Sequence, residues 1–146
     1  MSNAASAPRR SIRRLIVASA LLLPACVGAP DDAAQLSAEK PLDQRSTQGI
    51  VDAQIELASA DLTRGPNDFV ITLRAATGDA LPVLTGVDAV MAAHGHHAGA
   101  PSIVADSNGV FRVEQLDLFM SGRWQVTLGV ELETRADTVD FALDVP

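Results

Sequence analysis

The run Trp124-Gln125-Val126-Thr127-Leu128-Gly129-Val130-Glu131-Leu132-Glu133 constrains this chain more than any other stretch. Large apolar residues hold every second position, and polar or small residues fill the places between. Successive side chains of an extended strand point to opposite faces, so this is a strand with one buried face and one wet face. A helix would scatter the same residues around its circumference. Val139, Phe141, Leu143 and Val145 repeat the pattern against Asp140, Ala142 and Asp144, and Phe69, Ile71 and Leu73 repeat it against Val70, Thr72 and Arg74. Further strands are expected at 54–57, 86–92, 102–105 and from Phe111 towards Met120. The stretch 88–93 is the only short helix that competes.

Polar breaks separate these segments: Arg64-Gly65-Pro66-Asn67-Asp68, Thr77-Gly78-Asp79, Asp106-Ser107-Asn108-Gly109 and Arg135-Ala136-Asp137. Each holds Gly, Asn or Asp, which tolerate the backbone angles of a reversal. Asn108-Gly109 between two strand-like segments is the clearest hairpin turn. About seven short strands over about 100 residues predict an all-β fold, an immunoglobulin-like antiparallel β-sandwich. With four Phe, one Trp and no Tyr, its core must rest on Val, Leu, Ile and Ala. No glycine-rich loop links a strand to a helix, so nothing suggests nucleotide binding.

The ends differ in charge. The first 25 residues hold Arg9, Arg10, Arg13 and Arg14 and no acid. Those four taken from 11 basic residues leave 7 against 18 acidic ones, a net of −11 for the remainder. Such a body repels nucleic acid and anionic headgroups. The basic stretch leads into an apolar run from Leu15 to Leu23, shorter than the ~20 residues that cross a bilayer and suited to a signal peptide. The run ends in Leu23-Pro24-Ala25-Cys26, which resembles a bacterial lipobox. The resemblance implies cleavage before Cys26 and acylation of that cysteine, a durable membrane anchor because several acyl chains act together. Cys26 is the only cysteine, so its acylation leaves no thiol for a disulfide or a metal. Val27 is not a retention aspartate and favours the outer over the inner membrane. The expected organisation is a signal peptide over 1–25, the acylated Cys26 with a polar tether to 48, and a β-sandwich over 49–146.

The remaining feature is Met91-Ala92-Ala93-His94-Gly95-His96-His97, which holds all three histidines. The order of several motifs resembles the YtkA-like family, related to FixH-type domains. These motifs are Asn67-Asp68-Phe69, Gly78-Asp79-Ala80-Leu81-Pro82-Val83, Met91 to His96, Gly109-Val110-Phe111, and Met120-Ser121-Gly122-Arg123-Trp124. The resemblance covers residues 50 to 146. It implies an envelope-associated immunoglobulin-like domain linked to metal homeostasis or oxidase assembly, with copper as the metal. Ala92 stands where the family prefers proline.

The residues themselves leave two readings open. In an extended segment His94 and His96 project from one face, compatible with two imidazoles on one ion. Met91 faces away unless a bulge or turn at Ala92 and Ala93 brings it round. Imidazole with thioether and no thiolate favours monovalent copper, giving Met91, His94, His96 and Met120 as the candidate ligands and His97 as a spare imidazole. Alternatively Met91 and Met120 are core residues, and the domain is a metal-free module that docks an envelope partner through an edge strand or its acidic face. No free thiol, glycine elbow or paired carboxylates support an enzyme.

Overall fold

The computed structural model describes residues 36, 40–59 and 61–146; the signal segment and Cys26 lie outside the described residues. Nine strands follow one another: β1 (Leu42–Arg45), β2 (Val51–Leu57), β3 (Gly65–Ala75), β4 (Val83–Met91), β5 (His96–His97), β6 (Ser102–Ser107), β7 (Val110–Leu118), β8 (Gly122–Leu132) and β9 (Arg135–Val145). Two antiparallel sheets form, in the orders β1-β2-β3-β7-β6 and β5-β4-β8-β9. The alternating residues face each other across the sandwich. Trp124, Val126, Leu128 and Val130 of β8 meet Val51, Ile55, Ile71, Leu73 and Val113 of the other sheet in one core, all at most 1% exposed.

The all-β sandwich expected from the alternation is what forms, and residues 88–93 contribute strand and turn rather than helix. β4 runs through to Met91 because Ala89 and Met91 alternate inward with the other core residues. The count rises from seven to nine through two short strands. β5 has only two residues, and β1, Leu42-Asp43-Gln44-Arg45, turns a single hydrophobic residue to the core. Too little alternates in so short a segment for it to stand out in the sequence. The sandwich accordingly begins before residue 49: Leu36, Leu42 and Ser46 are buried within it.

Local chemistry fixes the turns. Asn108 and Gly109 both have positive φ, 41° and 82°, as a type I′ hairpin turn between β6 and β7 requires. A Cβ at Gly109 would lie 2.6 Å from the Leu73 carbonyl oxygen, and the Leu73 N–H donates to the Gly109 carbonyl at 2.8 Å. Two expected breaks lie elsewhere. The β8–β9 reversal falls at Glu133 and Thr134, with Leu132 paired to Arg135 and Glu133 at φ 58°. Residues 65–68 of that region become the start of β3, irregular between Asn67 and Phe69. There the buried Asn67 amide donates to the carbonyls of Thr63 and Gly65 at 2.7 Å each, while Asp68 accepts the Gln115 N–H at 2.8 Å. Asn67-Asp68-Phe69 is thus a loop lock and a bulge, followed by a core plug.

One side of the sandwich is closed by Asp137. Burial alone would raise its carboxyl, but hydrogen bonds from the Ser46 hydroxyl and from the N–H groups of Thr138, Gln48 and Ile50 outweigh it and hold the pKa below the usual carboxylate value. Gln48 N–H lies 3.1 Å from both oxygens, and Thr47 N–H donates to the Thr138 carbonyl at 2.8 Å. β1 and β9, the outer strands of different sheets, are joined there.

Candidate metal centre

Met91 ends β4, Ala92 to Gly95 form the turn, and His96 opens β5. The Met91 carbonyl accepts from the N–H groups of His94 at 3.1 Å and Gly95 at 2.9 Å. Gly95, at φ 64°, closes this tight turn in a conformation that costs glycine nothing. No proline is needed at Ala92 to make it.

Directly opposed residues of an antiparallel pair share a face. Met91 opposes His96, and Val90 opposes His97. His96 therefore stands on the core side of the sheet at its rim, and His97 on the outer side. There His97 Nδ1 lies 3.4 Å from Asp88 Oδ1, both well exposed. His97 is separated from the other two imidazoles by the sheet itself.

His94 and His96 do come together, through the turn rather than along a strand. Their ring centroids are 6.2 Å apart, with planes 28° from parallel, and both residues are exposed. Two imidazole nitrogens at ~2.0–2.1 Å from one ion place their centroids at most about 6.3 Å apart, in a linear arrangement. The observed pair is within that limit, but its rings are stacked, so each must rotate to turn a nitrogen, whose lone pair lies in the ring plane, towards a shared ion.

The methionines are placed differently. Met91 is 2% exposed, within the core, with its methyl carbon 3.4 Å from where a Cβ on Gly122 would stand. Met120 is half-buried against the core, and its carbonyl accepts the Trp124 indole N–H at 3.0 Å. The turn at Ala92 and Ala93 follows Met91 and leaves it pointing inward. Among the described residues no three His, Cys, Asp or Glu side chains gather as a metal group, so a third ligand beside His94 and His96 would have to be of another kind.

Phe119 completes the site and was not singled out by the sequence. Its ring lies 5.9 Å from His96 and 5.5 Å from Trp124, edge-on to both. The β4–β8 register puts Val90 opposite Gln125, so Met91 falls between His96 and Trp124 in one cross-strand row. Phe119 touches both ends of that row and bridges it on the core side. The sequence did carry a signal: Phe119 follows Leu118 directly, breaking the period of two where β7 ends and the chain crosses to β8. Comparison with known protein families, with curated proteins and with solved structures gave no match.

Proposed function

We propose that this chain is a YtkA-like envelope lipoprotein, anchored through Cys26, whose sandwich binds monovalent copper at the His94–His96 turn in metal homeostasis or oxidase assembly. The observation that carries the reading is the exposed imidazole pair at 6.2 Å beside the buried thioether of Met91, the cross-strand partner of His96. Neutral imidazoles suit copper, and a neighbouring thioether favours its monovalent state. His94 and His96 hold the ion; Met91, buried in the core, becomes a third ligand only if its side chain turns outward, and Met120 serves chiefly to seat Trp124. His97 takes no part.

Purified residues 27–146 are expected to take up one monovalent copper per chain in competition with a chromogenic chelator. The double substitution His94→Ala, His96→Ala abolishes uptake; unchanged affinity in that variant rejects the reading. Flotation with lipid vesicles tests the anchor: the processed full chain floats, and Cys26→Ser does not.

A second reading, a metal-free docking module, is favoured by the edge of β4, which is largely unpaired among the described residues. β5 covers only Val90 and Met91, and next to the uncovered part Leu81 and Val83 are 61% and 52% exposed. An unpaired edge with apolar residues is a template for another strand. Val83→Lys would then release an envelope partner while leaving copper uptake intact, and failure to recover any partner with the parent protein counts against it.

A further inference from the structure

The five-stranded sheet, which holds none of the histidines, carries a depression on its outer face. Its volume is about 380 Å³, and Asp43, Arg45, Asp52, Gln54, Thr72 and Arg74 line it. The alternation that buries Val51, Ala53 and Ile55 turns Asp52 and Gln54 outward. Register then builds two cross-strand rows over β1, β2 and β3: Arg45, Asp52 and Arg74 form one, and Asp43, Gln54 and Thr72 form the next. Both β2 side chains lean towards β1. The Arg45 guanidinium donates to the Asp52 carboxylate twice, Nε to Oδ1 at 2.7 Å and Nη2 to Oδ2 at 3.1 Å. The Gln54 amide donates to Asp43 Oδ1 at 3.1 Å. That lean leaves the space between β2 and β3 open, with Thr72 and Arg74 as its far wall. The ion pairs among the described residues are Arg45–Asp52, His97–Asp88 and Arg112–Glu114, so the exposed Arg74 guanidinium is left without a carboxylate.

We infer that this depression is a binding site for a small zwitterion of the amino-acid and dipeptide class, its carboxylate on Arg74 and its ammonium beside Asp52. The guanidinium offers a planar fork that meets a carboxylate with two parallel hydrogen bonds. Thr72, two positions away on the same face, adds a hydroxyl donor. A bare anion does not suit the rest of the wall. Asp52 stands directly opposite Arg74, and directly opposed Cα atoms lie about 4.5–5.5 Å apart. Hydrogen bonds from Arg45 hold the Asp52 carboxyl below its usual pKa, so it is ionised at neutral pH and would repel that anion. An ammonium next to the ligand's carboxylate turns the repulsion into attraction, since an ionised carboxylate has lone pairs beyond those Arg45 takes. A bare cation, in turn, leaves Arg74 unpaired. Asp43 and Asp52 balance Arg45 and Arg74, so the depression is neutral on a body whose residues after 25 carry a net −11. A ligand without net charge approaches that body free of the long-range repulsion an anion meets. The site depends neither on copper nor on the anchor.

The test uses the isotope-labelled full chain in detergent micelles and follows the Nε–Hε resonances of Arg45 and Arg74 by NMR. Alanylalanine is the probe, and it should shift the Arg74 resonance saturably. N-acetyl-alanylalanine, alanylalanine amide and sodium acetate each lack one of the two charges, and each should bind about tenfold more weakly or worse. Arg74→Gln should weaken alanylalanine by a similar factor. Arg74 is exposed, and an unchanged backbone amide spectrum shows that the variant keeps the fold. The blocked probes, applied to the parent chain, test the charge requirement without any variant. No saturable shift, binding of a blocked dipeptide or acetate as tight as that of alanylalanine, or unchanged binding in Arg74→Gln each overturns the inference.

Discussion

Single residues carry separable duties. Met91 fills core volume, and its sulfur is the only soft atom in the row between His96 and Trp124. Met91→Leu conserves volume, so it should cost less than about 1.5 kcal/mol of stability. Monovalent copper affinity should fall if the thioether contributes and stay unchanged if His94 and His96 act alone; urea unfolding and chelator competition separate the two. Gly109 is constrained from two sides, by its φ of 82° and by the Leu73 carbonyl 2.6 Å from where a Cβ would stand. Gly109→Ala should cost about 1–3 kcal/mol, read as a lower urea midpoint with the slope unchanged. The glycine's turn role was legible in the dipeptide Asn108-Gly109. Its close approach to β3 was not, because that contact joins residues 36 apart in the chain.

Among the elements, the junction of β1 with β9 depends on one carboxylate. Asp137 has its pKa lowered in the fold, so its contribution is fully present above the unfolded value of ~3.9 and is lost as pH falls below that, through the folded pKa. The melting temperature should therefore drop on the acid side of pH 4, and Asp137→Asn should flatten that limb. At neutral pH the same substitution should cost about 1–3 kcal/mol, because it leaves N–H donors facing an amide that cannot satisfy them all. By contrast the Arg45–Asp52 pair is bidentate but exposed, and its removal should change stability by less than ~1 kcal/mol. Both strands meeting at Asp137 escape a sequence reading in part. β1 has too few apolar residues to show a period, and Asp137 looks like a turn residue until its partners 89 residues away are known.

For the whole molecule, the boundary of the folded unit is the sharpest consequence. A chain beginning at residue 49 lacks β1, the buried Leu36 and Leu42, and Ser46, one of the donors to Asp137. Each fully buried leucine contributes ~1.5–3 kcal/mol, so that chain should be about 4 kcal/mol less stable than one beginning at residue 27. Equilibrium unfolding of the two proteins checks this, and equal stability would mean that β1 is only an appendage. The sandwich also has unequal sides: Asp137 and Thr138 join its two sheets on one, while on the other β4 keeps an open edge among the described residues because β5 is two residues long.

The sequence by itself determined the seven longer strands, their wet and buried faces and the Asn108-Gly109 turn, because alternation and turn chemistry are local properties of neighbouring residues. It also put His94, His96 and the spare imidazole His97 within one short stretch. Only the tertiary structure decided which of His96 and His97 joins His94, because that depends on the pairing of β5 with β4. It likewise turned Met91 inward and set Phe119 across His96 and Trp124. Register and sheet order are contacts between distant segments, and no short window of sequence contains both partners.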